Sequence, residues 1–289
     1  MKRILITGAR GYIGSAFRRY MEQFPDAYEI DAVSLRGDAW QQYDFSPYHV
    51  ILHAAGLAHI KETRGNTQDY YTVNRDLTAS VAQRAKAAGV GQFIFLSSMS
   101  VYGMDEGTIT PQTMPQPKTA YGKSKLAAEQ ILQAMQTDLF RVAILRPPMV
   151  YGPGCKGNYQ ILEKLARLLP ICPDYKNRRS MISIDHLCAA IRYFIDSEAS
   201  GVFCPQDPEY VCTCDMMRQI AEKHGKHLPL TKALNFGPAL LRRFTAKGRK
   251  AFGDLIYCDE SKRSDASLQF GEVYRGGNPV GARSDLDRF

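Results

Sequence analysis

The sequence predicts an α/β protein with a Rossmann-type doubly wound parallel sheet, followed by a smaller C-terminal α/β lobe. Strand-like and helix-like segments alternate up to about residue 145, and a glycine-rich turn directly follows the first strand. The alternating pattern then changes after Gly154. We therefore expect one domain over residues 1–154 and a second lobe over residues 155–289, some segments of which return to the sheet.

The first part of the chain carries the signals of the doubly wound sheet. Short apolar runs predict strands at residues 4–6, 28–34, 49–53, 92–96 and 139–145. Apolar positions at helical spacing predict helices at residues 15–23, 72–88 and 121–136. Residues 108–119 contain three prolines and no periodicity, so we expect a loop there.

The second part of the chain predicts fewer regular elements. We expect a helix at about residues 159–169, an extended stretch at 179–184, a helix from Asp185, and then a further strand and helix. Residues 271–289 are rich in glycine, arginine and aspartate, which predicts a mobile tail or an irregular cover.

The composition is that of an ordinary soluble protein, with 45% apolar and 23% charged residues. No stretch reaches the roughly 20 apolar residues that span a bilayer, and no secretory leader precedes the first strand. We therefore expect a cytoplasmic location. The seven cysteines are scattered and lack metal-ligand spacing, so we expect reduced thiols and no metal site.

The net charge of +8 suits nucleic acid, an anionic membrane or phosphorylated small molecules. No basic motif with interleaved aromatic residues is present, so we expect neither a nucleic-acid nor a membrane partner. The densest basic cluster is spaced like the solvated face of a helix and consists of Arg242, Arg243, Lys247, Arg249 and Lys250. The charge therefore favours a dinucleotide and a second phosphorylated ligand.

The turn after the first strand has the spacing of a dinucleotide site. In such a site Gly8 makes the tight turn, Gly11 lets the backbone approach the pyrophosphate, and Gly14 allows close packing of helix and strand. The helix that follows presents free N–H groups to the phosphates. The residues expected to bind NAD or NADP at this turn are Gly8, Arg10, Gly11, Tyr12, Ile13 and Gly14. A surface loop is the alternative, and it fits poorly with a turn that directly follows a buried-type strand.

The end of the second strand bears on the choice between NAD and NADP. An acidic residue there binds the ribose 2′-hydroxyl of NAD, whereas an arginine accommodates the 2′-phosphate of NADP. In this chain the position of that acidic residue falls near Ser34, which is not acidic, and Arg36 follows two residues later. Arg10 also lies within reach of a 2′-phosphate, so we expect NADP to bind at least as well as NAD.

Tyr121 and Lys125 form the most informative pair of side chains. Residues four apart share one face of a helix, so the phenol and the ammonium can point into one pocket. A tyrosine titrates near ~10, and a neighbouring positive charge lowers that pKa. The pair is a candidate proton-transfer device, although the same spacing also occurs on ordinary exposed helices.

Taken together, the motifs resemble the extended short-chain dehydrogenase/reductase family, in its branch of nucleotide-sugar epimerases and dehydratases. The matching segments occur in the family's order at residues 7–14, 53–56, 73–74, 97–103, 121–125 and 146–154. Residues 177–185 also resemble the branch's substrate-lobe motif. Residues 140–157 together with this run are most similar to UDP-sugar 4-epimerases and reductases of surface-polysaccharide synthesis.

The resemblance implies a catalytic role for three residues. Ser98 would hydrogen-bond the reacting sugar oxygen, and Tyr121 would take or give the hydroxyl proton. Lys125 would hold the nicotinamide ribose and lower the pKa of Tyr121. For Ser98 the alternative is simple capping at the end of a strand.

The resemblance also implies binding roles for further residues. Those expected to contact the cofactor are Ala54, Ala55, Gly56 and Pro148. Asn158 and Arg179 match positions that grip the nucleotide diphosphate, a task that suits a guanidinium. For Ser100 two interpretations are equally good: a contact with the substrate, or a residue without a functional role. Arg178 is either a second residue that grips the diphosphate or a surface charge.

The expected activity is that of a nucleotide-sugar 4-epimerase, acting by transient hydride transfer at a sugar hydroxyl. A net NADPH-dependent 4-ketosugar reductase is the alternative, and a non-catalytic NAD(P)-sensing protein is a further one. Met99 and Ser100 are not carboxylates, which disfavours dehydration. In this family the helices at residues 72–88 and 121–136 pair across a two-fold axis, so we expect a homodimer.

Overall fold

A computed structural model describes residues 1–258 with the exception of residues 59, 61, 64 and 156. The expected mobile tail at residues 271–289 therefore lies outside the described residues. The chain forms two compact units, each made of several segments. Unit 1 consists of residues 1–103, 115–148 and 184–205, and unit 2 of residues 104–114, 149–183 and the described residues from 206 onward.

Strands and helices alternate through most of the described chain. In chain order the strands are β1 (Lys2–Thr7), β2 (Tyr28–Val33), β3 (Val50–His53), β4 (Gln92–Leu96), β5 (Gly107–Ile109), β6 (Arg141–Leu145), β7 (Met149–Tyr151), β8 (Cys172–Pro173), β9 (Met181–Ser183), β10 (Gly201–Phe203), β11 (Leu230–Thr231) and β12 (Leu255–Tyr257). The helices are α1 (Tyr12–Met21), α2 (Thr67–Tyr71), α3 (Leu77–Ala87), α4 (Ala120–Met135), α5 (Asn158–Leu168), α6 (Ile184–Asp196), α7 (Thr213–Lys223), α8 (Phe236–Phe244) and α9 (Ala246–Phe252).

Unit 1 is built on a six-stranded parallel sheet with the strand order β10-β6-β4-β3-β1-β2. The predicted doubly wound α/β fold is confirmed. The chain leaves β1 toward β2 and then returns to add β3 on the other side of β1, so the strand order reverses between β1 and β3. Ligands of such sheets bind at the carboxyl ends of the strands beside this reversal.

The core of unit 1 explains why its strands read as continuous apolar runs. Residues Ile4, Leu5 and Ile6 of β1 are completely buried, as are the apolar residues Ile51 and Leu52 of β3. A parallel sheet that is covered by helices on both faces buries successive side chains of a strand. The short apolar runs in the sequence therefore located the central strands well.

The helix predicted at residues 72–88 begins earlier and contains an irregular turn. α2 and α3 are joined by a π-helical turn at Thr72–Asp76, so the helical segment runs from Thr67 to Ala87. A π turn inserts an extra residue into the helix and is frequent at functional sites. It turns Asn74 into the interior, where its side chain is fully buried.

Unit 2 contains three two-stranded parallel sheets, which pair β11 with β8, β12 with β5, and β7 with β9. The prediction of a loop at residues 108–119 is wrong at its start, because Gly107–Ile109 forms β5. The partner of β5 is β12, which lies far along the chain. A three-residue strand with so distant a partner leaves no periodic signal in the local sequence.

The two units depart from a single boundary at residue 154 in three segments. Residues 104–114 and 149–154 belong to unit 2, and residues 184–205, with α6 and β10, belong to unit 1. The assignment of the second lobe to substrate binding stays a prediction. In the part of the chain that the structure describes, no helix is long and apolar enough to cross a membrane.

Candidate active site

The turn that follows β1 admits only glycine at its first position. Gly8 has a φ of +80°, and a Cβ atom there would lie 2.5 Å from the backbone nitrogen of Ala55. A Cβ on Gly14 would lie 2.7 Å from the carbonyl oxygen of Gly8. The turns after β1 and β3 are therefore in direct backbone contact, at the reversal of the strand order.

The start of α1 fits the phosphates of a dinucleotide. Gly11 is the N-cap of α1, and the first turn of the helix carries no acidic side chain. The N–H groups of a first helical turn have no partner within the helix, and they attract anions. Arg10 and Gly11 are exposed, whereas Tyr12 and Ile13 are half-buried. The backbone and the charge of this turn are suited to a pyrophosphate.

The end of β2 carries cations where an NAD site usually carries an acid. Ser34 directly follows β2, and its hydroxyl accepts a hydrogen bond from the backbone N–H of Arg36 at 3.3 Å. The guanidinium groups of Arg10 and Arg36 are exposed and make no ion pair within the described residues. Asp31 lies inside β2 and accepts a hydrogen bond from Tyr48 at 2.8 Å.

The turn after β3 is held in place by Asn74. The Asn74 amide accepts a hydrogen bond from the Leu57 N–H at 2.7 Å and donates to the Leu57 carbonyl at 3.1 Å. It also donates to the Ser124 hydroxyl on α4 at 3.1 Å. A Cβ on Gly56 would lie 3.0 Å from the Lys125 ammonium. Asn74 therefore fixes the turn of Ala54, Ala55 and Gly56 against the helix that carries Tyr121 and Lys125.

The N-terminus of α4 is capped twice, which fixes the position of Tyr121. The Thr119 hydroxyl accepts a hydrogen bond from the Gly122 N–H at 3.1 Å, and a Glu62 carboxylate oxygen accepts one from the Ala120 N–H at 2.9 Å. Such caps satisfy N–H groups that a helix leaves without partners.

Ser98, Ser100 and Tyr121 come together at the carboxyl end of β4. Ser98 caps a 3-10 helix at Met99–Tyr102, and its hydroxyl accepts a hydrogen bond from the Ser100 N–H at 3.1 Å. The same hydroxyl donates to the Ser100 hydroxyl at 3.2 Å. The first turn of α4, which carries Tyr121, packs against this turn, since a Cβ on Gly122 would lie 2.6 Å from the Ser100 carbonyl oxygen. The capping role that the sequence left open for Ser98 is therefore present, and it places the serine in a turn that lies beside the one that carries Tyr121.

Tyr70 packs against Tyr121 and was missed in the sequence. The two rings meet edge to face with centroids 6.3 Å apart. The Tyr70 hydroxyl donates a hydrogen bond to the Ile60 carbonyl at 2.7 Å, and the residue is buried. Tyr70 therefore limits the orientations that the Tyr121 ring can adopt. No local motif distinguishes it from any other aromatic residue of a helix.

The pKa values of Tyr121 and Lys125 correct one expectation from the sequence. Burial raises the pKa of Tyr121, while the Ser98 side chain lowers it and Tyr70 raises it further. The pKa is therefore raised in this structure, whereas the sequence predicts a lowered one. The Lys125 ammonium donates a hydrogen bond to the Leu96 carbonyl at 2.8 Å. The ammonium also lies 4.6 Å from the centroid of the Phe95 ring. Burial lowers the pKa of Lys125 to about 8, against an opposing effect of Glu129.

A buried polar network lies behind Lys125. Glu129, one turn further along α4, accepts hydrogen bonds from Ser97 and from the guanidinium of Arg146, the latter at 2.5 Å. Arg146 also donates to the Tyr102 hydroxyl at 2.9 Å. The network joins the ends of β4 and β6 to α4. Glu129 belongs to none of the motifs recognised in the sequence, although its spacing after Lys125 is a usable signal.

Pro147 and Pro148 follow Arg146 at the end of β6. The Pro147 carbonyl accepts a hydrogen bond from the Met99 N–H at 3.0 Å. The segment that carries Pro148 is thereby tied to the turn that carries Ser98. The contact of Pro148 with a cofactor stays a prediction.

The residues expected to grip the diphosphate belong to unit 2. Arg179 is half-buried, and its guanidinium donates a hydrogen bond to the Gly253 carbonyl at 3.1 Å. Arg178 is exposed, with its guanidinium 3.6 Å from Asp254. Asn158 is the first residue of α5. Their contact with a substrate stays a prediction. Within the described residues, no cluster of potential metal ligands is present.

Comparison with known proteins agrees with this arrangement. Residues 4–203 match the model of the NAD dependent epimerase/dehydratase family. The chain is 34% identical over 249 residues to a UDP-glucose 4-epimerase of Vibrio cholerae, which covers 76% of this chain and 75% of that protein. It is 29% identical over 174 residues to a GDP-6-deoxy-D-mannose reductase of Pseudomonas aeruginosa, which covers 55% of this chain and 56% of that protein.

The fold is also similar to that of solved structures. One is a UDP-glucuronic acid 4-epimerase from Bacillus cereus in complex with NAD, with a TM-score of 0.68 and 19% identity. The match covers 94% of this chain and 99% of that chain.

Proposed function

Since the chain belongs to the NAD dependent epimerase/dehydratase family, we propose that it is a 4-epimerase of nucleotide sugars, with UDP sugars as its substrates. The protein is an NAD(P)-dependent enzyme of the short-chain dehydrogenase type, in the class that contains nucleotide-sugar epimerases and 4-keto-sugar reductases. The specific reaction, the substrate and the roles of single residues are our proposal.

The observation that carries the proposal is the close approach of two turns: a Cβ on Gly122, next to Tyr121, would lie 2.6 Å from the carbonyl oxygen of Ser100 in the turn that Ser98 caps. A serine and a tyrosine carried by two such turns can together bind one oxygen atom of a sugar. Both belong to unit 1, as do the glycine turn at Gly8 and the ammonium of Lys125. A sugar carbon held there can exchange a hydride with a nicotinamide, which is the chemistry that bound NAD(P) supplies.

Tyr121 moves the proton that accompanies the hydride. When the sugar C–H bond breaks, the hydroxyl proton passes to the Tyr121 oxygen, and it returns when the C–H bond re-forms on the other face. The raised pKa of Tyr121 favours the protonated phenol, so acceptance of a proton needs positive charge nearby. Lys125 and the oxidised nicotinamide are the sources of that charge. Ser98 orients the sugar oxygen throughout.

Arg179 and Asn158 are the residues that we propose for binding the nucleotide diphosphate. Arg179 offers a planar guanidinium of the kind that binds diphosphates by paired hydrogen bonds, and Asn158 lies at the start of a helix, where anions are favoured. Ser100 is a further substrate contact in unit 1, since it shares the hydrogen bonds of Ser98. The likeness to an epimerase of UDP-glucose supports a uridine nucleotide.

The test of catalysis compares the wild-type protein with two variants of α4. Incubation with a panel of UDP sugars should give the 4-epimer without net oxidation or reduction of the cofactor. Tyr121→Phe should lower kcat by about 10²- to 10⁴-fold and leave cofactor affinity unchanged. Lys123→Ala changes an exposed residue of the same helix and should have no effect. Full activity of Tyr121→Phe would refute the assigned role.

A net 4-ketosugar reductase is the second candidate, and the exposed guanidinium groups of Arg10 and Arg36 favour it. A net reductase consumes reduced cofactor in each turnover, and NADPH is the usual donor in biosynthesis. The discriminating measurement is the same incubation with a 4-ketosugar nucleotide and NADPH. Stoichiometric loss of NADPH, together with absence of epimer from the UDP sugars, would replace the epimerase assignment by the reductase.

Arg10 and Arg36 are also the basis of a prediction about the cofactor. If they bind the 2′-phosphate, Arg36→Ala should weaken NADPH binding by about ten- to a hundredfold, because a hydrogen bond to a charged group is lost. Arg10→Ala should act in the same direction, and neither should change the affinity for NADH. Arg18→Ala, an exposed position of α1, serves as the control. A strong NADH preference in the wild-type protein would contradict NADP binding.

The homodimer stays part of the proposal. Leu77 on α3 and Leu126 on α4 are half-buried within the single chain, which leaves apolar surface for a second copy on the helices expected to pair. Light scattering of the wild-type protein gives the oligomeric state, and a monomer at high concentration would contradict the expected dimer.

A further inference from the structure

We propose that helix α8 in unit 2 binds to the surface of anionic phospholipid membranes. This inference concerns a surface that the proposed catalytic groups do not use. It therefore stands or falls independently of the reaction that the protein catalyses.

The outer face of α8 exposes an apolar stripe. Phe236, Leu240 and Phe244 follow one another at intervals of four residues, so they line one side of the helix. Their exposed fractions are 72%, 57% and 69%, and that of the neighbouring Leu241 is 49%. Across the described residues, four of the thirteen strongly exposed large apolar side chains lie on α8, a helix of nine residues. Such a concentration marks an interaction surface rather than scattered exposure.

The inner face of α8 holds the helix in place. Pro238 is buried, and the Arg242 guanidinium donates hydrogen bonds to Glu106 at 2.9 Å and to the Tyr175 hydroxyl at 3.3 Å. α9 packs close to the end of α8, since a Cβ on Gly248 would overlap the Leu241 carbonyl. The exposed stripe is therefore carried by a helix with a fixed orientation in unit 2.

The charge around the stripe complements an anionic surface. Residues 232–252 contain six basic side chains and no acidic one. Two of them, Arg242 and Lys250, pair with Glu106 and Asp105. The other four make no ion pair within the described part of the chain, and they are Lys232, Arg243, Lys247 and Arg249. Arg243 lies at the edge of the stripe, with its guanidinium 5.8 Å from the centroid of the Phe244 ring.

An interfacial helix, which lies in the plane of a membrane surface, combines an apolar face with basic side chains, and α8 has this combination. The apolar side chains enter the boundary between headgroups and acyl chains, while the basic side chains contact anionic headgroups. The sequence predicts these basic residues to be a solvated helix face. The structure adds that one of them, Arg243, lies beside the exposed ring of Phe244. A surface helix of this kind does not span the bilayer.

The test is co-sedimentation of the full-length protein with lipid vesicles. Vesicles of phosphatidylcholine with phosphatidylglycerol should bind the protein, and vesicles of phosphatidylcholine alone should bind it much more weakly. Binding should fall in about 0.5 M NaCl, since salt screens the headgroup contacts. Absence of binding to the anionic vesicles at low salt would overturn the proposal.

Variants of α8 test whether the apolar stripe is the part of the protein that binds the vesicles. The double variant Phe236→Ser with Phe244→Ser should weaken vesicle binding by more than about tenfold, because two exposed rings no longer enter the interface. Arg243→Ala and Lys247→Ala should each weaken it by about fivefold. Leu139→Ser, a change of an 87% exposed apolar residue in unit 1, is the matched control and should bind like the wild type.

Two other outcomes would replace the membrane by another occupant. If the double phenylalanine variant binds vesicles as well as the wild type does, the stripe is not the lipid contact. If it turns a dimer into a monomer in light scattering while the wild type binds no vesicles, the stripe is an interface between two copies. Circular dichroism and the turnover of nucleotide sugars in the absence of vesicles should be unchanged in all variants. These measurements show that a loss of binding is not a loss of folding.

Discussion

At the scale of single residues, His53 shows how a titratable group is kept neutral beside the candidate site. Its ring nitrogens are hydrogen-bonded to the hydroxyls of Thr7 at 2.8 Å and Thr78 at 2.9 Å. Burial lowers the pKa of His53 from 6.5 to about 3, and the charge of Lys125 contributes. With both ring nitrogens hydrogen-bonded to buried hydroxyls, its surroundings are those of a structural residue.

His53 should make the stability of the protein depend on pH. Below pH 6.5 the unfolded histidine binds a proton that the folded one does not bind until about pH 3. The free energy of unfolding should therefore fall as the pH decreases through this window, by about 1.4 kcal/mol per pH unit. Urea unfolding between about pH 7 and pH 5 measures this slope.

The variant His53→Gln should reduce the slope, because glutamine does not titrate. His224→Gln provides the control, since His224 is 40% exposed. An unchanged slope in His53→Gln would show that other groups govern the acid sensitivity.

At the scale of elements, α4 owes its position to a glycine at its first turn. A Cβ on Gly122 would lie 2.6 Å from the Ser100 carbonyl oxygen and 3.0 Å from Pro117. The helix can therefore approach the 3-10 turn of Ser98 and Ser100 only without a side chain at this position. That approach brings the turn that carries Tyr121 against the turn that carries Ser98.

Gly122→Ala should separate α4 from the Ser98 turn. The contact involves a backbone carbonyl, which cannot move aside as the end of a flexible side chain can. We expect a loss of about 1–3 kcal/mol in the free energy of unfolding and a fall in kcat larger than the change in KM. Gln130→Ala, at an exposed position of α4, should change neither. Normal kinetics in Gly122→Ala would show that the site tolerates a shift of the helix.

The elements also show where prediction from sequence succeeds. The central strands were located to within a few residues, because buried parallel strands leave continuous apolar runs. The predicted helix at residues 72–88 lacked its first turns and its π turn, since the hydrogen bonds of the Asn74 side chain depend on the distant Leu57 and Ser124. Contacts of this kind have no signature in the local sequence.

At the scale of the molecule, the ion pair of Glu129 and Arg146 connects helix α4 to the end of strand β6 inside unit 1. Their side chains are 1% and 10% exposed, and their closest oxygen and nitrogen lie 2.5 Å apart. Ser97 and Tyr102 complete the network, which connects two strand ends to α4. A buried ion pair contributes little relative to an apolar pair, but the loss of one partner leaves the other charge uncompensated.

Glu129→Gln should therefore destabilise the protein strongly. We expect a loss of about 3–5 kcal/mol in the free energy of unfolding, measured by denaturant titration. Asp76→Asn removes the exposed ion pair with Arg75 and should cost about 1 kcal/mol or less. A similar small loss in both variants would mean that Arg146 finds another partner.

The sequence predicted unit 1 better than unit 2 for a physical reason. The cofactor turn, Ser98 and the pair of Tyr121 and Lys125 lie in short segments whose spacing is fixed by one strand or one helix. The sheets of unit 2 instead consist of strands of two or three residues with remote partners. The hydrogen bond of Lys125 to the Leu96 carbonyl was equally hidden, because it depends on how a helix lies against a strand end.

Because β5 pairs with β12, it must wait during synthesis until its partner strand has been translated. On the ribosome, residue 107 emerges about 150 residues before its partner at 255, which corresponds to roughly 7–30 s of translation. During that interval the edge of β5 has no strand to pair with, and unpaired edges invite aggregation. A nascent chain stalled before residue 255 should therefore expose residues 104–114 to proteases and chaperones, whereas release of the following residues would protect them.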